Sequence, residues 1–459
     1  RNELESSHKF ETDSDSEIIV HLLGDYYQGS LSEAMSKTVR RLDGVFAIAA
    51  SYDDELVIAR DVVGVKQLYY NENSQYIAFS SERKALWAAG MKEYGKRLPP
   101  ANLATISSRG IELEKFAELP LKEESRRITD QTEAIEVYID ALQRAVSKRL
   151  EDMDNVGMIF SGGIDSVLIA KLVKDHNVDF TCYCAGTDAS SDIFHAEDAA
   201  SRLGFTLKVN WLDMEKIEGY IPQIIETIED RSLGQIEVAI PIYAAVREAQ
   251  GDGVKVLLTG QGADELFAGY PWYKDVVERH GYDKLTYHLK DDLSKLYKET
   301  LEREDKITMA HSIELRVPYL DLSIVSVSSR IATELKLPPE DNLGKHVHRE
   351  AALRLGVPEE LAFMPKEAAQ HGSGVHGLLE NLAVSRGFDQ KYVNKMGYTS
   401  DESVSEVLGS SGRYGNRYST DDQWSSPDNV QLYLDTITYE EHLTHDQDQV
   451  LLEQLLRTE

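Results

Sequence analysis

The residues with the clearest chemical potential are Ser161-Gly162-Gly163-Ile164-Asp165-Ser166, set between the apolar run 156–160 and the helix-compatible run 167–173. A Gly-rich turn between a buried strand and a helix gathers unpaired backbone N–H groups at the positive end of the helix dipole, an arrangement that binds phosphate. The two glycines let backbone approach an anion closely, and the Ser161 and Ser166 hydroxyls can donate to its oxygens. Asp165 belongs beside phosphate only if a divalent cation lies between them, so the pattern reads as nucleotide plus magnesium. The Walker spacing G-x-x-x-x-G-K-[S/T] and the dinucleotide fingerprint are both absent. Taken alone, the motif also admits a strand-to-helix turn with no ligand.

Ser-Gly-Gly-x-Asp-Ser resembles the pyrophosphate loop of the N-type ATP pyrophosphatases, a fold shared by asparagine, GMP, argininosuccinate and β-lactam synthetases. Downstream, 254–259 followed by Gly260-Gln261-Gly262-Ala263-Asp264-Glu265-Leu266-Phe267-Ala268-Gly269-Tyr270 resembles the asparagine synthetase version. Glu314-Leu315-Arg316-Val317-Pro318-Tyr319-Leu320-Asp321 and the Lys-containing loop from Pro365 to Gly374 match two further landmarks in the family's order.

The resemblance implies that Ser161, Gly162, Gly163 and Ser166, with Gly260 and Gly262, surround ATP and its pyrophosphate. Asp165 and Asp264 each follow a Gly-rich turn at a strand end, so both are candidate ligands of a Mg²⁺ bridging the phosphates. Lys366 is the expected cation at the α-phosphate. Lys345 is a candidate at the leaving group, against the alternative of a surface lysine. Glu314 is the expected base that takes a proton from attacking ammonia; without the resemblance it would read as a local ion pair with Arg316. A Glu rather than the Tyr of β-lactam synthetases favours intermolecular amidation. The implied reaction makes asparagine from aspartate and ATP through β-aspartyl-AMP, releasing AMP and pyrophosphate. The rival readings are an amidotransferase of the same fold acting on another carboxylate and a non-catalytic nucleotide-binding paralogue.

Several elements must position these groups. After Thr129-Asp130, Ile135, Ile139, Leu142 and Val146 predict an amphipathic helix covering a sheet. Strands over 156–160, 179–184, 207–211 and 254–258 then alternate with helices from 166, near 193–203 and up to 250. That alternation predicts an α/β parallel sheet with ligands at the carboxyl ends of its strands. From about residue 283 the chain reads as mainly helical. Cys182 and Cys184 share one strand face and read as core. His195, His311, His346, His348 and His371 lack triad-like spacing and read as core or surface residues. The His442 and His445 pair reads as a solvated acidic face.

Residues 1–118 read as a partial α+β domain of the N-terminal-nucleophile (Ntn) hydrolase type. A capping box, Ser14-x-x-Glu17, predicts the first helix, and strands follow at 44–50, 55–60, 67–70 and 76–79. Thr12 to Glu17, Asp43 to Ala47, Ala59-Arg60-Asp61-x-x-Gly64 and Phe79 to Leu86 resemble the second half of the family's glutaminase domain. The resemblance makes Asp15 a remnant of the glutamine site. The nucleophilic Cys of that family has no counterpart before Cys182, so ammonia rather than glutamine is the expected nitrogen donor of this chain. A linker is expected over 119–130, the synthetase domain over 131–398 and an acidic extension over 399–459. Within that extension, 430–434 and 450–456 read as docking helices.

A formal net charge of -30 argues against general nucleic-acid binding, which needs clustered Lys and Arg. It also makes each cation near the nucleotide loops count for more. No apolar run approaches the roughly 18 residues of a membrane span and no signal-peptide pattern opens the sequence. The expectation is a cytoplasmic enzyme, with a homodimer as the candidate assembly, that works on small molecules without nucleic acid or membrane.

Overall fold

The computed structural model describes residues 3–91, 95–121, 126–176, 178–365, 369–389, 391 and 429–437. Lys366, the His442 and His445 pair, the 450–456 run and most of the acidic extension lie outside the described residues. The chain divides into two compact units, Arg1–Leu119 and Pro120–Glu459.

The first unit has two antiparallel sheets. The larger comprises β1 (Ala47–Tyr52), β2 (Glu55–Arg60), β6 (Asn102–Ser107) and β7 (Gly110–Lys115), in the order β1-β2-β6-β7. The smaller has β3 (Tyr69–Glu72) between β4 (Ile77–Ser80) and β5 (Lys96–Arg97). The helix Leu31–Val39 buries Met35 and Val39 against Ile48, Val57 and Leu103. Sequence reading located β2 and β4 well but missed the β6–β7 hairpin, whose signal was the Ser108-Arg109 turn before Gly110 with its φ of +108°.

Two predicted details of this unit need correction. The first helix, Glu17–Tyr26, starts where expected, but without a capping box. The Glu17 carboxylate instead accepts hydrogen bonds from the backbone N–H groups of Glu11 and Thr12 and from the Thr12 hydroxyl. The hydroxyl bond leads these contacts in holding its pKa down at about 2. The expected strand at 44–50 begins only at Ala47.

A buried polar knot ties the loop after β2. Arg60 donates to the carbonyls of Gly64, Lys66 and Leu98 and to Gln67 Oε1, while the Asp61 carboxylate accepts from the N–H groups of Gly64, Val65 and Lys66.

The second unit is built on a five-stranded sheet, β8 (Asn155–Ile159), β9 (Asp179–Gly186), β10 (Thr206–Trp211), β11 (Val256–Leu258) and β12 (Glu314–Arg316), in the order β10-β9-β8-β11-β12. Every pairing is parallel, and the inner strands β8 and β11 carry continuous buried runs, as a parallel sheet flanked by helices requires, whereas the edge strand β10 alternates polar with apolar residues. From β8 the chain winds outward to β9 and β10, then returns to β11 on the other side of β8. The β8 and β11 carboxyl ends therefore flank the topological switch point, where such sheets bind ligands. The Ser161–Gly163 and Gly260–Gly262 turns leave from those two neighbouring ends.

The helix Gln131–Leu150 forms as expected but packs on the helices Ile164–Asp175, Leu322–Arg330 and His346–Arg354 rather than directly covering the sheet, and its buried stripe is Ala134, Ile135, Tyr138, Ala141, Leu142, Ala145 and Val146. Tyr138, rather than the half-buried Ile139, is the inward residue. Cys182 and Cys184 lie buried in β9 as expected, and burial pushes the Cys184 thiol up to about 12. The helix Asn429–Thr436 places Val430 and Leu434 in the same apolar cluster as Ile225, Ile240 and Leu379.

Candidate active site

The loop after β8 begins when Phe160 N–H bonds to the Tyr183 carbonyl of β9. Gly162 turns it with φ +74°, and a Cβ there would lie 2.4 Å from Ala196 N and from the His195 carbonyl carbon. Only glycine meets both demands. Helix Ile164–Asp175 starts two residues earlier than predicted, which places Asp165 and Ser166 in its first turn. Ser161 is exposed, whereas the Ser166 hydroxyl donates to the Gly163 carbonyl at 3.0 Å. The second loop presses against the first: a Cβ at Gly260 would lie 2.9 Å from Asp165 Cβ. Gly262, at φ +94°, leads into the short helix Ala263–Phe267, which carries Asp264.

The two carboxylates meet at one cation. Lys345 Nζ lies 2.7 and 2.6 Å from the two oxygens of Asp165 and 2.7 Å from Asp264 Oδ1, with the lysine side chain only 1 % exposed. Lys345 is therefore no surface lysine. Its φ of +59° is left-handed, an uncommon conformation for a non-glycine residue, and it caps the helix His346–Arg354. Gly269 leaves room for it, since a Cβ there would lie 2.1 Å from Lys345 Cε and 2.0 Å from Asp264 Oδ1. The sheet topology, two Gly-rich turns and one left-handed lysine thus bring together Asp165, Asp264 and Lys345.

The donor set suits magnesium. Two carboxylate oxygens from different loops already flank a single cationic nitrogen at 2.7 Å or less. Mg²⁺ is commonly held by one or two carboxylates, with substrate phosphates and water completing its shell. No group of three or more His, Cys, Asp or Glu side chains suited to a metal occurs among the described residues.

His348, read from sequence as a core or surface residue, lies against this cluster. Its side chain is fully buried, with Nε2 3.3 Å from Asp165 Oδ1 and Nδ1 2.7 Å from the Tyr138 hydroxyl. Burial lowers its pKa. Tyr319 Oη donates to the Asp165 backbone carbonyl at 2.8 Å. The signal available in sequence was the spacing of Lys345 and His348, three apart at a helix start and so on one face.

Glu314 stands in β12 opposite Val256, and its carboxylate accepts from Arg316 Nε at 3.0 Å. The local ion pair is thus present. Arg316 also donates to the Arg149 carbonyl, fastening the edge strand to the helix Gln131–Leu150. The segments flanking Lys366 are anchored near the strand ends. Arg349 donates to the carbonyls of Ala362 and Met364, and Thr187, just past β9, bonds to the Ser373 carbonyl. In the first unit, Asp15 is exposed, and its carboxylate accepts from the neighbouring Ser16 hydroxyl at 3.3 Å.

A parallel sheet with two Gly-rich turns and paired carboxylates at its switch point defines an α/β enzyme of the ATP pyrophosphatase type. The asparagine synthase family matches residues 138–293 and 277–435, and the glutamine amidotransferase domain matches residues 1–88. A putative glutamine-hydrolysing asparagine synthetase 1 of Methanocaldococcus jannaschii is 34% identical over 443 residues, spanning 86% of this chain and 79% of its own length. Asparagine synthetase 2 of Oryza sativa is 28% identical, over 80% of this chain and 62% of its own length. NMN synthetase from Francisella tularensis aligns over 53% of this chain and 78% of its own at 14% identity and a TM-score of 0.29, too loosely to carry an argument. The chain belongs to the asparagine synthase family, enzymes of the ligase class.

Proposed function

We propose that this chain makes asparagine by transferring the adenylyl group of ATP to the side-chain carboxylate of aspartate, with ammonia then displacing AMP from β-aspartyl-AMP. The observation that carries this reading is the convergence of Asp165 and Asp264, from the switch-point turns, on the single buried ammonium of Lys345. In the first step a carboxylate oxygen attacks the α-phosphorus and pyrophosphate departs, so negative charge must be held in a fixed place. The open N–H groups and Ser161 of the first loop hold the pyrophosphate. When bound, Mg²⁺ neutralises phosphate charge, and Asp165 and Asp264 are the residues that would hold it. Lys345, whose ammonium Asp165 and Asp264 share in this structure, would face the departing phosphates. The family resemblance assigns Lys366 to the α-phosphate.

In the second step ammonia attacks the acyl carbon, AMP leaves with the bonding pair, and the nitrogen loses a proton. Glu314 is the base, and its 44% side-chain exposure leaves it open to a reactant. The hydrogen bond from Arg316 orients this carboxylate. In this reading the attacking nitrogen is ammonia, whether supplied free or released from glutamine, and the enzyme works in the cytoplasm. Among the described residues no helix is long and apolar enough to cross a membrane.

Aspartate-dependent exchange of labelled pyrophosphate into ATP tests the first step, and asparagine formation from ammonium tests the second. Exchange stimulated by a different carboxylic acid and not by aspartate would overturn the substrate assignment. Exchange that proceeds with aspartate while ammonium yields no asparagine would overturn the second step.

A further inference from the structure

We infer that the Gln261 side chain binds an N–H-bearing reactant, the α-ammonium of aspartate or the attacking ammonia, and that Glu304 is the positioning residue that aims it, a role that rests on the asparagine reading above. Gln261 is the one side chain of the turn Gly260–Gly262, which leaves β11 at the switch point. The turn is packed on both sides, since a Cβ at Gly260 would lie 2.9 Å from Asp165 Cβ and one at Gly262 would lie 2.4 Å from Leu320 Cδ2. Whatever this turn offers a reactant besides backbone therefore comes from the Gln261 amide.

An amide offers a donor at one end and an acceptor at the other, and its surroundings decide which end faces a ligand. Here Gln261 Nε2 donates to Glu304 Oε1, which comes from the helix Leu301–Ala310. Glu304 is buried, with its side chain only 2% exposed. Burial pushes its pKa up, and Arg303, whose Nη2 lies 4.0 Å from Oε1, leads the groups that pull it back, followed by Gln261 and Thr259. Arg303 is itself held, since Nη1 donates to Gln235 Oε1 at 2.7 Å and to the Glu299 carbonyl at 3.3 Å. A carboxylate only accepts, so the N–H end of the Gln261 amide is committed to Glu304 and the carbonyl oxygen is left over. That oxygen makes no hydrogen bond among the described residues, and Gln261 is half-buried. A fixed carbonyl oxygen repels phosphate and carboxylate oxygens and accepts an N–H. Aspartate carries one on its α-ammonium, and ammonia brings its own.

The test is steady-state kinetics on the full chain and on Gln261→Leu, Glu304→Leu, Glu304→Gln and the double variant that joins Gln261→Leu to Glu304→Leu. Pyrophosphate exchange is followed against aspartate, and asparagine formation against ammonium. Gln261→Leu is expected to raise one half-saturating concentration by about 10-fold, the scale of one lost hydrogen bond, with a smaller change in the maximal rate. A rise for aspartate in exchange assigns the oxygen to the α-ammonium, and a rise for ammonium alone assigns it to the attacking nitrogen. Glu304→Leu should raise the same constant, Glu304→Gln should raise it less, and the double variant should be no worse than Gln261→Leu, because Glu304 acts through that amide. Should Glu304→Leu fail to fold, Glu304→Gln takes its place in the cycle. Parental half-saturation for both reactants in Gln261→Leu, or additive losses in the double variant, would overturn the inference while leaving the asparagine reading intact. A folded parent with no aspartate-dependent exchange would overturn both.

Discussion

Two buried clusters of opposite charge, one in each unit, are wired differently. In the first unit, Arg60 and Asp61 spend their hydrogen bonds mainly on backbone groups of residues 64–66 and 98. Each bond closes a loop, and removing either charge leaves main-chain groups buried without partners. In the second unit, the Asp165 and Asp264 side chains share the buried ammonium of Lys345. That cation closes no loop of main chain onto them. Charge bonded to backbone stabilises a shape, whereas charge bonded to one long side chain can be exchanged for a ligand.

The comparison breaks first at the exchangeable cluster. Asp165→Asn and Asp264→Asn should each lower aspartate-dependent pyrophosphate exchange by about 10²–10³-fold. Melting, followed by circular dichroism, should remain cooperative. Near-parental exchange at limiting metal in either variant would show that its carboxylate is not needed there.

Arg60→Met should do the reverse, costing the first unit about 3 kcal/mol in denaturant unfolding with little change in exchange by the second. An unchanged unfolding midpoint would mean that the two clusters are wired alike.

Glu314→Gln should separate the half-reactions. Exchange should survive, while asparagine formation from ammonium falls by about 10–100-fold, within the range for loss of a general base. Equal loss of both would remove Glu314 from the second step.

The smallest effect concerns a buried cation outside both clusters. Lys336 is enclosed, its ammonium donates to the Ser328 hydroxyl at 3.0 Å, and burial, then the charge of Lys290, brings its pKa down to about 7. Unfolding returns this group to its ordinary value near 10.4, so the unfolded chain binds more protons between those limits. The contribution of Lys336 to stability therefore rises as pH increases from about 7 toward 10, and the full cost of charging it is felt below pH 7. Lys336→Met should raise stability by about 1 kcal/mol at pH 6 and by less at pH 9. Equal melting shifts at both values would show that the lysine is charged throughout.

Much of this arrangement was legible in the sequence because it is local. The strand, Gly-rich turn and helix around Ser161–Ser166 are set by consecutive residues, as are the second turn and its Asp264. Resemblance located Lys345, but not its burial or its bond to a residue 180 positions earlier. Tyr138 was passed over for Ile139 because the helical period fixes a face only to within a residue. The full aromatic enclosure of His348 gathers Tyr138, Phe267 and Tyr319 from three separate segments, which no short window of sequence contains. Glu314 and Arg316 behaved as the spacing of a strand predicts, two apart on one side.

The helix Asn429–Thr436 bears on how the polypeptide is synthesised. Val430 and Leu434 fill a cluster otherwise built from residues 183–383, so the second unit cannot finish its interior until the ribosome has released residue 434. The first unit, which ends at residue 119, can fold much earlier on the emerging chain. The apolar groove that receives this helix therefore stays uncovered on the emerging chain for as long as residues 430–434 have yet to be made.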